Sequence, residues 1–226
     1  MKWWKVLFWW QLMNNCKHTK NDIFANMEQR IQQSGISAQQ REQNEADYER
    51  YNADPDYVDV YLNSTTGGLK ARHKDHKRNT KGEIKFGLKP FELEDAFQDT
   101  IVEMGGACIL LDEKKKRLNG ETARGLDTLV NGILSDIRTV TEPDTNIRNC
   151  ITDKHKQLDG FNQDFGTNAS TMSLFFYDDS FYSNEKVEKA INDYKNIVRN
   201  WPCGIVVKKI LVVLRNRKQI IEYNVV

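Results

Sequence analysis

The clearest hydrophobic rhythm begins at Pro90. Phe91, Phe97, Ile101 and Met104 recur at helical spacing, with Leu93 and Ala96 nearby. Pro90 suits a first helical turn and Gly105-Gly106 a helix end. Ala107–Leu111 then reads as a buried strand, and the segment from Asp112 to Arg124 as a charged loop. Leu126–Val130 and Ile133–Val140 are strands joined by Asn131-Gly132, a strong hairpin dipeptide. Pro143-Asp144-Thr145 opens a helix expected to run to about Gln157, followed by a Gly- and Asn-rich loop, Gly160–Ser170. Met172–Tyr177 is a strand. The stretch Asn184–Arg199 is a helix with Val187, Ala190, Ile191, Tyr194 and Val198 on one face. Ile205–Leu214 and Gln219–Val225 are the last two strands. This order predicts an α+β (mixed α/β) fold: a central mixed, largely antiparallel sheet flanked by helices, with an N-terminal helical extension.

Upstream the pattern weakens. Residues 21–52 are rich in Gln, Asn and Glu, and Ser34-Gly35-Ile36-Ser37 divides them into two helical pieces. Ser37 and Gln40 make a Ser-x-x-Gln capping pattern. The second piece has few apolar positions and leans on other elements for stability. Asp54-Pro55 ends it. Tyr57–Leu62 and Leu69–Arg72, with Gly67-Gly68 between them, predict a hairpin, and His73–Lys85 a polar linker. The expected organisation is a helical extension over 1–55, a hairpin and linker over 56–89, and an α/β domain over 90–226. The tryptophan-rich start, Lys2 to Met13, is too short to span a bilayer and lacks a small-residue cleavage site, so stable membrane insertion is not expected. A helix docked on a partner, or a misplaced start before a truncated gene, is the favoured reading.

Charge narrows the function only a little. Lys plus Arg number 33 against 32 Asp plus Glu, a net charge of +1. That lacks the global basic excess of proteins that grip long nucleic acid by its backbone. Cys16, Cys108, Cys150 and Cys203 form no Cys-x-x-Cys pair, which argues against structural zinc and for a reducing, cytoplasmic setting. His73 and His76 supply only half of a metal site. The chain has no Gly-rich phosphate loop and no Walker-type lysine, so no cofactor is expected.

Candidate chemistry concentrates between Leu126 and Asn149. Strand alternation puts Leu134, Asp136, Arg138 and Val140 on one face. Two nuclease readings compete. In a PD-(D/E)xK-like layout, Asp127 and Asp136 hold Mg²⁺, Glu94 or Asp95 adds a helix acid, and Arg138 stands where a lysine is expected. Arginine cannot lose its proton, so it cannot act as a base there, and this layout ranks second: Asp127 and Asp136 are not expected to converge. In the favoured metal-independent reading, the RNA 2′-hydroxyl is the nucleophile and the protein supplies acid–base groups and phosphate contacts. Asp136, Arg138, Thr141 and His155 are then the catalytic candidates, with Asn146 and Arg148 binding phosphate at a helix N-terminus. His155 enters as the nearest imidazole. Arg138 and Arg148 are expected to approach the same place.

The helix ending at Gly105-Gly106, Ala107–Leu111 with Asp112-Glu113, and the hairpin into Asp136-Ile137-Arg138-Thr139-Val140 together resemble toxin-like ribonuclease domains of the barnase/EndoU/colicin/RelE group. So do the Thr145–Asn149 helix start, the Met172–Phe176 strand and the final strand pair. The version most resembled is that of contact-dependent growth-inhibition tRNase toxins and phage minor head protein C-termini. Tyr57–Val60, Thr66–Ala71 and His73–His76 resemble the linker before that domain in phage-derived proteins. The resemblance implies an endoribonuclease acting on tRNA or another structured RNA, an immunity protein or phage structural proteins as partners, and a cytoplasmic or virion-associated site. It also implies Asp136, Arg138, Thr141, Asn146 and Arg148 near the cleft. Its structural rival is a phage minor head or morphogenesis component with a non-catalytic binding domain. The missing head-protein region suggests a remnant gene.

Overall fold

The computed structural model describes residues 37–112, 114–116 and 122–226. The Trp-rich start, the first helical piece and Cys16 lie outside the described residues. Helix α1 (Ala38–Ala53) starts as its cap predicts, with the Ser37 hydroxyl accepting from Gln40 N at 3.2 Å. It buries only Asn44 and Tyr51. Asn44 carries most of its polar docking. Its side-chain amide donates to Gly67 O at 2.8 Å and to Gly105 O at 2.9 Å, satisfying carbonyls on two separate segments.

The hairpin β1 (Tyr57–Leu62) and β2 (Leu69–His73) follows. It joins the main sheet, because β2 runs parallel to β3 (Ala107–Leu110). Between them, α2 (Pro90–Glu103) is opened by Glu92, whose carboxylate accepts from Lys89 N at 2.6 Å. Gly68 lets this crossover close up. A Cβ there would lie 2.1 Å from Val102 O.

The segment read as a charged loop holds a short antiparallel ladder, β4 (Lys114–Lys116) with β5 (Thr122–Arg124). The charged residues of this segment carry no alternation of apolar and polar positions, so hydrophobic patterning gives no sign of it. Then β6 (Thr128–Val130) and β7 (Ile133–Val140) pair across Asn131-Gly132, both with positive φ. Helix α3 (Ile147–Phe165) is longer than expected: Asn146 caps it, and it runs through Gly160 to left-handed Gly166. Strand β8 (Thr171–Phe176) lies parallel to β7. Helix α4 (Asn184–Val198) leads to β9 (Lys209–Leu214), parallel to β8, and β10 (Gln219–Asn224) closes antiparallel on β9.

The result is the expected α+β fold. One eight-stranded mixed sheet runs β1-β2-β3-β6-β7-β8-β9-β10. Its β1–β2, β3–β6, β6–β7 and β9–β10 ladders are antiparallel, and β2–β3, β7–β8 and β8–β9 are parallel. Helices cover both faces. Phe97 and Ile101 of α2 pack on Cys108, Leu110, Ile137, Phe175 and Val213. On the other face, Ile147, Ile151 and Leu158 of α3 and Val187, Ile191 and Tyr194 of α4 pack on Val140, Met172, Leu174 and Val212. Among the described residues, no helix is long and apolar enough to cross a membrane.

Candidate functional site: a buried acid pair and a lysine

The hairpin β6–β7 and helix α3 bring three ionisable side chains together. Asp127 precedes β6, where its backbone oxygen accepts from Leu111 N and its carboxylate from Ile137 N, both at 2.9 Å. Asp136 lies on the β7 face that meets α3. Lys154 of α3 places its Nζ 3.0 Å from Asp136 Oδ2 and 3.6 Å from Asp127 Oδ2. The side chains are 0% (Asp136), 9% (Lys154) and 14% (Asp127) exposed. The layout expected to fail, convergence of Asp127 with Asp136, is therefore what the structure contains. Strand pairing fixes it: Thr128 faces Ser135, so the same antiparallel register, continued by one residue, sets Asp127 opposite Asp136.

Burial pushes the Asp136 carboxyl well above its usual range, and the adjoining Asp127 carboxyl adds to this. Lys154 pulls the other way. Neither Asp136 oxygen accepts a well-directed hydrogen bond, and the contact with Lys154 is an ion pair. A buried carboxylate so poorly supplied with donors is costly unless another group engages it.

The other anticipated residues divide. Arg138 is exposed on β7, and Thr141, just past the strand, is half-buried. Asn146 uses its side-chain oxygen to accept from Asn149 N at 3.1 Å, as the α3 cap. Arg148 lines an open cleft of about 500 Å³ between the start of α3 and the length of α4, with Thr145, Asn146, Lys186, Lys189 and Asp193. Arg138 does not line this cleft, so the two arginines do not share it. His155 is 1% exposed. Its Nδ1 shares a hydrogen bond with Tyr194 Oη at 2.8 Å, and its Nε2 lies 3.2 Å from Cys203 Sγ. Both ring nitrogens are occupied, and burial lowers the pKa of the ring. Glu94 faces His76 at 3.3 Å and Asp95 pairs with Arg78 at 2.6 Å. Among the described residues, no three His, Cys, Asp or Glu side chains cluster as a metal site.

Lys154 is not among the residues that motifs and strand alternation single out, although the sequence carries a signal for it. The stripe Ile147, Cys150, Ile151, Leu158 and Phe161 is buried at helical spacing, and Lys154 occupies a core position within it. A lysine there is rarely buried without a partner.

No protein-family model matches the chain. No curated protein matches it either. Among solved structures, one chain of a CdiA-CT/CdiI toxin and immunity complex from Burkholderia pseudomallei is similar at 15% identity. The match covers 68% of this chain and 98% of that one, with a TM-score of 0.41.

Proposed function

We propose that the chain is a nuclease that cleaves RNA phosphodiesters at Asp127, Asp136 and Lys154. The meeting of two carboxylates from one hairpin with a lysine from the facing helix carries this reading. It reverses the order of the two nuclease mechanisms weighed from sequence. Lys154, rather than Arg138, supplies the basic group, arriving from α3 instead of from β7.

The donor set suits Mg²⁺ or Mn²⁺. Such hard ions take oxygen ligands, and Mg²⁺ needs only one or two protein carboxylates beside water and substrate phosphate. Asp136, buried and without a directed donor, and Asp127 would hold the ion. Bound there, it would polarise the phosphodiester and acidify a water ligand. Lys154 would hold the attacking water by hydrogen bonding. The water oxygen bonds to phosphorus while the ester P–O bond breaks, leaving a phosphate monoester and a hydroxyl. Two turns back along α3, Arg148, with Lys186 and Lys189 from α4, offers cations to a neighbouring phosphate.

The test uses purified chain with tRNA and with an unstructured RNA, followed on gels in Mg²⁺, Mn²⁺ and EDTA. Cleavage is expected with metal, lost in EDTA, and lost in Asp136→Asn while the thermal transition is kept. Cleavage that persists in EDTA and in Asp136→Asn would return the chemistry to the metal-independent reading around Arg148. Absence of cleavage by the parent under every condition would leave the triad a buried ion pair.

A further inference from the structure

A second chemical surface lies at the carboxyl ends of β7, β8 and β9. Three connections meet there. Glu142 follows β7, Tyr177 follows β8, and Arg215 follows β9. Across them lies a tight turn, Lys85–Leu88, closed by Lys85 N donating to Leu88 O at 3.0 Å and Leu88 N to Lys85 O at 2.9 Å. Lys85 anchors the turn by ion pairs with Glu142 at 2.6 Å and Glu83 at 2.8 Å.

The tip of this turn is Phe86-Gly87, with φ of 55° and 76°. Left-handed backbone is natural for Gly87 but unfavourable for a bulky Phe86. The ring is nonetheless held outward, 39% exposed. It stacks on Tyr177 with centroids 4.7 Å apart and planes 29° apart, and lies 6.1 Å from Phe181. The guanidinium of Arg215 sits 4.2 Å from the centroid of the Tyr177 ring. Arg217 lies 5.7 Å from the ring of Tyr182. Buried Asp179 fixes this last loop, accepting from Asn216 N at 3.2 Å and Arg217 N at 2.8 Å.

Phe86 is a poor choice if closing the core were its only task. The turn strains its backbone, and much of its ring stays in water. A flat aromatic face beside exposed Arg215 and Arg217 matches the two things an unpaired nucleotide presents, a base face and a phosphate. We infer that the Phe86–Tyr177 stack, flanked by Arg215 and Arg217, is a platform on which an unpaired RNA base stacks. This rests on the proposed action on RNA and narrows the substrate to strands with unpaired nucleotides. The place agrees with it. The cleft lined by Arg148 and Lys186 opens at the α3 N-terminus, which the Thr141–Asn146 connection carries from the same end of β7. Lys186 also donates to Pro143 O in that connection, at 2.6 Å.

The experiment is fluorescence anisotropy of the full chain with a labelled unstructured RNA oligonucleotide, in EDTA so that binding is read without cleavage. Phe86→Asn keeps a residue that tolerates left-handed φ but removes the ring, and Phe86→Trp keeps an aromatic face. Phe86→Asn is expected to weaken binding about tenfold, in the range of one base–aromatic stack. Phe86→Trp is expected to stay within about twofold of the parent, and blunt duplex RNA to bind less well than the single strand and lose nothing in Phe86→Asn. Unchanged affinity in Phe86→Asn, with its thermal transition intact, overturns the platform even if cleavage is confirmed. A parent that binds single strands no better than duplex also overturns it. So does a Phe86-dependent self-association that leaves RNA binding alone. RNA binding that depends on Phe86 in a chain that cleaves nothing would uphold the platform and sink only the nuclease chemistry.

Discussion

Replacing Lys154 with methionine tests the buried triad directly. The substitution keeps the length of the side chain and removes its charge. Asp136 is wholly buried and Asp127 mostly so, and Lys154 lies within ion-pair distance of both. Removing one partner of a buried pair costs about 3–5 kcal/mol, because the remaining charge is stranded in a poor dielectric. In a chain of this size about 1 kcal/mol moves Tm by about 2–4 °C, so Lys154→Met should melt roughly 6–20 °C below the parent. The pH dependence has a definite sign. Asp136 binds its proton more tightly folded than unfolded, so between its ordinary value of 3.8 and its raised value the folded state holds more protons. Its contribution to stability is therefore present at low pH and is lost as pH rises through that window. Without Lys154 the pair can still be relieved by a proton. The deficit of Lys154→Met should thus be larger at pH 8 than at pH 5, as read by circular dichroism melts of both proteins at each pH. A Tm within about 2 °C of the parent at pH 8, or a deficit that grows on acidification, would refute the triad's energetics.

His155, whose pKa burial lowers, gives the opposite slope: its contribution is full above the ordinary imidazole value of 6.5 and lost as pH falls below it, so the Tm gap between parent and His155→Leu should narrow from pH 7.5 to pH 5.5. A gap that widens would contradict a neutral imidazole between Tyr194 and Cys203. Gly68→Ala should destabilise by about 1–3 kcal/mol in urea titrations, because its methyl would press on Val102 O; an unchanged midpoint would mean that α2 can shift away at no cost. Limited proteolysis should yield a stable fragment that begins before Tyr57, since β2 is laddered to β3 and buries Leu69 and Ala71. A stable core beginning near Pro90 would show instead that the hairpin is dispensable.

Much of the fold could be read from the sequence because period and punctuation agreed. Pro90 and Gly105-Gly106 bracket α2, and Asn131-Gly132 forms the predicted turn with both residues at positive φ. Errors fell where local signals compete with packing. Gly160 looked like a loop residue, yet α3 continues through it because Leu158 and Phe161 on either side are buried. The expected strand from Ile205 begins only at Lys209, because the β8 ladder it joins starts at Thr171. For the site, alternation marked Asp136 as an odd residue on a core strand. It could not reveal the third member, since the Asp136–Lys154 pairing depends on how α3 lies across the sheet. His155 drew attention for its chemistry alone, and Tyr194, the partner that retains it in the core, lies far along the chain on α4.

Strand β8 has a consequence for how this chain reaches its native state. It is buried at every position and bounded by parallel ladders on both sides. Parallel neighbours cannot form from a tight turn: Ser135 must find Thr171, and Thr171 must find Lys209, each across an intervening helix. The β6–β7 and β9–β10 hairpins close locally and early, whereas β8 is seated only after α3 and α4 have folded back. Until then Met172, Leu174, Phe175 and Phe176 form an uncharged, β-prone segment open to the same segment of another molecule. The strand that holds the finished sheet together is thus an aggregation hazard during refolding, and folding yield should fall with protein concentration more steeply than native stability would suggest.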